Sequence, residues 1–277
     1  MKLHFKVSWS QIPIYIVLLI GAFVSFVPFF WMMTSVFKQP EEIVAFPPVW
    51  IPANPTLDNV KTIWSELDFA RYYANSLVLA VIPTVIVVFS SALIGYVLAK
   101  MNFRGRDVLF IAILATMMIP YPVTLIPSYQ LMAWLKWLDT YWALIIPSVF
   151  SSFGIFLVRQ YMYSIPDDLL DAGRIDGASE LRIFGQLVLP LMGPVLAALG
   201  IFNFMGHWNS FLWPFLVLNS QQKFTLPLAL ATFTTEYVTD YAVTMSGAAI
   251  SVIPVLIVFL LLQKQFVAGI AMTGIRA

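Results

Sequence analysis

Six apolar runs, each about long enough to cross a lipid bilayer, constrain this 277-residue chain more than any other feature. About 20 apolar residues are needed to traverse the hydrocarbon. Residues 12–37, 72–99, 108–127, 141–158, 191–218 and 245–262 come close to or exceed that length. Inside lipid every backbone N–H and C=O must be bonded internally, which leaves helices or a closed barrel. The alternating pattern of barrel strands is absent, so the six runs are expected to be helices. Composition agrees, with 60% of residues hydrophobic and 10% charged. A soluble domain carries roughly a quarter charged residues and could not hide this much apolar surface.

The net charge of +1 gives no electrostatic footprint for nucleic acid. There is no cysteine, hence no disulfide or thiolate chemistry. His4 and His207 are far apart, and no cluster has the spacing of metal ligands, so neither a metal nor a cofactor is expected on this chain. The first run follows Lys2 and Lys6, as a signal peptide would. It is roughly twice the length of a signal core and no small-residue cleavage site follows, so it reads as a retained span.

Lysine and arginine in the connections set the orientation. With the N-terminus inside, the inner segments hold Lys2, Lys6, Lys100, Arg104, Arg106, Arg159, Arg174, Arg182, Lys264 and Arg276. The outer ones hold Lys38, Lys61, Arg71, Lys136 and Lys223. This two-to-one bias places both termini in the cytoplasm, together with the polar segment 164–190. The first outer loop, residues 38–71, carries Pro40, Pro47, Pro48, Pro52 and Pro55. That density predicts a stiff, extended path, either a strap between two spans or a surface for an extracytoplasmic partner.

Segment 164–190 reads as two short helices around a turn. Ser164 with Asp167 three positions on resembles a capping box, and Pro166 suits a first turn. Asp167, Asp168 and Asp171 put negative charge where a helix dipole favours it. Asp176-Gly177 supplies a turn, since glycine tolerates positive φ. Ser179 is placed to cap a second helix whose apolar face is Leu181, Phe184 and Val188, and Pro190 marks the return to the membrane. Such a unit is either an elbow lying on the lipid surface or a knob that enters a groove of a cytoplasmic protein.

The run DAGRIDGAS followed by FGQLVLP resembles the EAA loop of bacterial ABC importer permeases, the binding-protein-dependent transport inner-membrane components. The pattern of that loop is Glu-Ala-Ala, two residues, Asp-Gly-Ala, then a closing Leu-Pro. Asp171, Ala172, Asp176, Gly177, Ala178, Leu189 and Pro190 match in type and spacing, while Asp171 replaces the usual Glu and Gly173 the second Ala. Further stretches are similar to the carbohydrate, maltose-type branch. These are FKQPEEIVAFPPVWIP, YANSLVLA, GYVLAKMNFRGRD, WNSFLWPFLVL, FTLPLAL and the tail QKQFVAGIAMTG, so the resemblance covers nearly the whole chain.

The resemblance implies a permease subunit that forms half of a carbohydrate path across the bacterial inner membrane. Its partners would be a second, similar permease, two copies of a cytoplasmic ABC ATPase, an extracytoplasmic binding protein, the sugar and the bilayer. ATP and magnesium would belong to the ATPase; this chain has no GxxxxGK[ST] phosphate loop and is not expected to be an enzyme. Leu170, Asp171, Ile175, Asp176, Gly177, Ala178 and Phe184 would carry contact or hinge roles in coupling, with a second, cytoplasmic contact from the tail after Lys264. The architecture implied is all-α, six transmembrane helices in one domain over residues 1–277, both termini cytoplasmic, with a coupling helix between helices 4 and 5.

Polar residues inside spans usually face protein or water. Asn203, Gly206, His207, Ser210 and Pro214 share one face of the fifth run, with Trp208 and Asn209 alongside. Amides, hydroxyls and rings suit a sugar, and small polar residues equally suit helix–helix packing; the Gly247, Ser251 and Pro254 stripe of the sixth run suits packing. Pro120, Pro122 and Pro127 must loosen the third run. No acidic or basic residue lies near the middle of a run, which favours an external energy source and an uncharged substrate over the alternative, a self-sufficient secondary transporter or channel. An integral-membrane enzyme would need clustered titratable groups at one face, and the only such cluster is the aspartate-rich segment.

Overall fold

A computed structural model describes residues 11–66, 68–236 and 241–273, and among these the chain is helical with no strand. The helices are α1 (Ile12–Ser35), α2 (Pro40–Ile43), α3 (Asp58–Glu66), α4 (Phe69–Lys100), α5 (Arg106–Met117), α6 (Tyr121–Trp134), α7 (Trp142–Ile145) and α8 (Ser152–Met162). There follow α9 (Asp167–Ile175), α10 (Glu180–Arg182), α11 (Leu189–Leu191), α12 (Gly193–Trp208), α13 (Leu212–Val217), α14 (Leu226–Glu236) and α15 (Tyr241–Thr273). A π-helical turn, Ile183–Val188, joins α10 to α11.

Four stretches are long and apolar enough to span a membrane: α1, α4, Trp142–Met162 and Tyr241–Gln263. Two bent pairs raise the number to six if each is one span. These are α5 with α6, bent by 99°, and Glu180–Leu191 with α12, bent by 76°. The third apolar run is therefore not the single helix expected over 108–127. Pro120 has no N–H to continue α5 and takes an extended ψ of 135° as the cap of α6. The fifth run, expected over 191–218, is broken at Met192 and again between Trp208 and Leu212. The fourth carries a 3₁₀ turn at Ile146–Ser148. Pro28, Pro83, Pro127 and Pro254, by contrast, lie inside continuous helices.

Contacts divide the chain into two compact units. The first takes the described residues up to Phe69 together with Leu230–Val252. Among the described residues, none of α1's most apolar window is buried. Beyond α1 the proline-rich loop is less extended than its composition predicts, because α2 and α3 interrupt it and a polar knot folds it back. Phe37 O accepts the Thr56 N–H at 2.9 Å, and the buried Asn59 side chain donates to Lys38 O at 2.7 Å. Lys38 is itself fully buried, its Nζ 3.4 Å from the Trp31 ring centroid and without a hydrogen-bond partner. Burial lowers its pKa, with the nearby Glu42 pulling the other way. Trp50 packs edge-on against Trp31 at 5.2 Å.

The second unit takes the described residues of Ala70–Ala229 and those from Ile253 onward. Small residues bring α4 and α8 into close contact. A Cβ on Gly95 would collide with Val158, and one on Gly154 with the Ser91 hydroxyl, the way small residues let membrane helices approach. A continuous core follows, with Ala92, Tyr96, Val158, Met162, Leu170, Ile183, Phe184, Val188, Met192 and Leu199 all buried in one cluster. Arg159, the buried charge at the end of α8, donates from Nε to Leu98 O at 3.2 Å and lies 3.7 Å over the Phe110 ring. Its fork thereby ties α8 to α4 and α5.

Candidate functional site

Segment 164–190 is a helical hairpin. Ser164 does not cap it as expected. Its hydroxyl donates to Tyr161 O at 2.7 Å and closes α8, and Pro166 takes the N-cap position of α9. Asp167 and Asp168 do occupy the first turn. At the other end of α9, Gly177 has φ +78°. Its N–H donates to Arg174 O and the Ala178 N–H to Gly173 O, each at 3.0 Å. This pair of bonds is the Schellman closure that a left-handed glycine permits. Ser179 caps the next helix, accepting from the Arg182 N–H at 3.4 Å. The two arms touch where α9 has no side chain, since a Cβ on Gly173 would lie 3.0 Å from Leu187 Cδ1. Gly173, one of the two residues that depart from the resemblance pattern, is thus a point where the arms pack closely.

The buried face of the second arm differs from the expected one. Ile183, Phe184 and Val188 are buried, whereas Leu181 is 77% exposed. Leu170 and Phe184 lie in the core and Ala178 packs on it, so they hold the hairpin together. Asp176 and Gly177 form the turn, flanked by Leu181 and by Ile175, which is 86% exposed.

Polar ties, unforeseen from sequence, fasten this hairpin to the bundle. Arg174 pairs with Asp171 at 2.7 Å and with Glu180 at 2.8 Å, and the buried Tyr96 hydroxyl donates to the other Glu180 oxygen at 2.8 Å. Those hydrogen bonds, from Glu180 first and then Asp171, hold the Arg174 guanidinium well above its usual range. Lys100 Nζ reaches Ile165 O and Asp167, both at 2.6 Å. Tyr96 and Lys100 fall within GYVLAKMNFRGRD, so the stretch is visible in the sequence while its pairing with Glu180 and Asp167 is not.

The polar residues of the fifth run separate. His207, Ser210 and Pro214 line a cleft of about 240 Å³ together with Ser128, Ser148 and Thr225, and Tyr121 and Trp213 add rings. The Asn203 and Asn209 side chains instead donate to Leu199 O and Met205 O on their own helix, each at 2.9 Å. Trp208 is buried, stacked on Phe204 and edge-on to Tyr73. α12 ends at Trp208, yet His207 inside it and Ser210 and Pro214 beyond it share the cleft, while Asn203 and Asn209 are taken up by their own helix.

A loop network flanks Thr225 of the cleft. Asp139 accepts from the N–H groups of Asn219 and Ser220, from the Ser220 hydroxyl and from Lys223 Nζ at 2.9 Å. Desolvation works to raise the Asp139 pKa, but these hydrogen bonds outweigh it and hold the carboxyl well below the usual range. Asn75 donates to Gln222 O and Phe224 O at 3.0 Å and accepts from the Tyr141 hydroxyl, while Ser76 accepts the Leu226 N–H. These contacts give YANSLVLA and FTLPLAL a shared structural role.

Comparison with known proteins agrees with this geometry. The family model described as binding-protein-dependent transport system inner membrane component matches residues 91–272. The chain is 36% identical over 258 residues to the arabinooligosaccharides transport system permease protein AraQ of Halalkalibacterium halodurans, covering 92% of each. It is 32% identical over 255 residues to the lactose transport system permease protein LacG of Rhizobium radiobacter, covering 92% of this chain and 93% of that one. Among solved structures, one described as a bacterial ABC transporter involved in the import of the acidic polysaccharide alginate aligns with TM-score 0.78 and 25% identity, over 94% of this chain and 99% of the other. The chain therefore belongs to the family of binding-protein-dependent transport system inner membrane components, multi-pass permease subunits of ABC importers.

Proposed function

We propose that the chain is one permease half of an ATP-driven importer of a di- or oligosaccharide. Its 277 residues act as a single transmembrane domain that crosses the membrane six times, with both termini and segment 164–190 on the cytoplasmic side. The relatives named for arabinooligosaccharides and lactose support a carbohydrate substrate. The chain works with a second permease, two copies of an ABC ATPase and an extracytoplasmic binding protein. ATP and magnesium sit on the ATPase, because this chain lacks a phosphate loop.

One observation carries the reading: the 164–190 hairpin is rigidly tied on one side and bare on the other. Its inner face is continuous with the core of α4, α8 and α12, while Ile175 and Leu181 stand out beside the turn. A lever has to be stiff where it meets the load and adhesive where it meets the engine. Leu170, Ala178 and Phe184 supply the stiffness, Asp171 acts through its own Arg174, and Ile175, Asp176 and Gly177 face the ATPase. The second contact expected from the tail after Lys264 lies outside the described side chains.

Gentle solubilisation and affinity capture of this chain test the reading. Wild-type chain brings down a Walker-type ATPase and a second six-span subunit. Ile175→Asp combined with Leu181→Asp releases the ATPase and keeps the second permease. Capture of the chain alone, with ATP-independent transport in liposomes, would overturn the proposal in favour of a secondary transporter.

A further inference from the structure

The cleft lined by His207 and Ser210 has the chemistry of a ligand site rather than of a packing defect. It lies where two helices stop short, between the start of α6 and the gap that separates α12 from α13, and Trp142–Met162 closes one side at Pro147 and Ser148. A cavity that stays empty is normally lined by apolar groups. This one collects the hydroxyls of Ser128, Ser148, Ser210 and Thr225, an imidazole and two aromatic rings, and among the described residues no carboxylate, lysine or arginine lines it.

Thr225, which lines the cleft, also carries an unpaired hydroxyl. Its residue surface is 4% exposed and its Oγ1 is buried with no hydrogen-bond partner. An unpaired hydroxyl in such a place costs stability, and native structures leave few of them. The Trp213 indole N–H is by contrast already committed to Ala143 O at 2.9 Å, which turns the tryptophan into a ring surface with no unmet donor. Ser148 donates back to its own turn, so its oxygen still accepts.

We infer that this cleft binds one ring of a neutral saccharide, so that this subunit itself touches the sugar; the inference rests on the importer reading. Hydroxyl and imidazole groups exchange hydrogen bonds with sugar hydroxyls in either direction. The faces of Tyr121 and Trp213 offer apolar surface for the C–H face of a ring. At about 240 Å³ the cleft is smaller than the roughly 300–1,000 Å³ sites of drug-sized ligands, which matches one ring of a longer chain passing through. The absence of a cation among the lining residues excludes the charge pairing that a phosphate or uronate would call for.

The chain has no cysteine, so Ser210→Cys is a single reporter, read on this subunit by mass spectrometry. The full importer with its binding protein is assembled in nanodiscs of phosphatidylethanolamine and phosphatidylglycerol, which carry no glycosyl headgroup and avoid glycoside detergents. Lactose and arabinotriose serve as neutral probes, and glycerol 3-phosphate and glucuronate as anionic ones. The neutral sugar that stimulates ATP hydrolysis is expected to slow maleimide labelling of Ser210→Cys, and the anions are not. Thr225→Val should raise the half-protecting concentration roughly five- to tenfold, the loss expected for one hydrogen bond to a neutral ligand. It should not lower the unliganded melting temperature, because no protein bond is removed.

Sugar-stimulated hydrolysis without protection of Ser210→Cys overturns the site and leaves the importer reading standing. Equal protection by the anions overturns the neutral chemistry. A lower unliganded melting temperature in Thr225→Val, with an unchanged half-protecting concentration, makes that hydroxyl structural and removes the argument. No stimulation by any saccharide removes the importer reading and the site together.

Discussion

Gly177 and Gly173 are four residues apart in one hairpin and are glycine for different reasons. Gly177 has φ +78° with open space around a would-be Cβ, so a substitution there pays only backbone strain, about 1–2 kcal/mol for a non-glycine residue in the left-handed region. Gly177→Val is expected to insert into the membrane normally and to lower the sugar moved per ATP hydrolysed, since a β-branched residue resists that φ and slackens the closure onto Arg174 and Gly173. Unchanged coupling would show that the turn is not a hinge. Gly173 has ordinary helical backbone, and its Cβ would press on the flexible end of Leu187 at 3.0 Å. Gly173→Ala therefore sets a gain in helix propensity of about 1 kcal/mol against a small shift of Leu187. The melting temperature should move little, whereas Gly173→Leu should cost about 1–3 kcal/mol by overpacking. At this scale the turn glycine was legible, because Asp-Gly is a turn signal in any sequence. The reason for Gly173 was not, because it lies on the facing arm. Nor was the engagement of Asp171 with Arg174 within the hairpin, which the aspartate-rich spacing does not reveal.

Helix ends show where sequence stops being informative at the level of elements. Apolar length located the material for the four long helices and the two bent pairs, since lipid admits little besides helix. It could not tell which prolines break a helix: Pro120 ends one, while Pro28, Pro83, Pro127 and Pro254 are carried within continuous ones. No local pattern separates the two outcomes. The same limit hid the loop network at Asp139, whose residue has φ +56° and whose partners are some 80 positions away. Asp139→Asn keeps a residue that tolerates this φ and removes the charge that Lys223 and two N–H groups address. The expected loss is about 1–3 kcal/mol, read as a lower melting temperature of the purified complex at neutral pH. Because the folded-state pKa is depressed, the contribution is complete above the ordinary carboxylate pKa near 4 and disappears as pH falls below it. The difference between wild type and Asp139→Asn should therefore shrink on acidification below about pH 4; a gap independent of pH would assign the effect to packing.

Sidedness is a property of the whole molecule and follows from charge and topology together. The two-to-one excess of lysine and arginine by which segment 164–190 is proposed to be cytoplasmic would put the Asp139 network outside. A cysteine-free chain makes this directly measurable. In intact cells a membrane-impermeant maleimide should label Asn219→Cys, and should label Ser179→Cys only after permeabilisation. The reverse pattern would put the hairpin outside, where no ATPase could reach it, and would sink the coupling role along with the orientation. The expected pattern has a further consequence within the second unit. It sets the hairpin, tied by Glu180 to Tyr96 and by Asp167 to Lys100, at the end of α4 that faces the ATPase. The cleft, beside Leu79 near the other end of that helix, then faces the binding protein. On that pattern one 32-residue helix would join the proposed place where ATP acts to the proposed sugar cleft. A stiff element in contact with both is the least that a machine needs to let ATP binding on one side change affinity on the other.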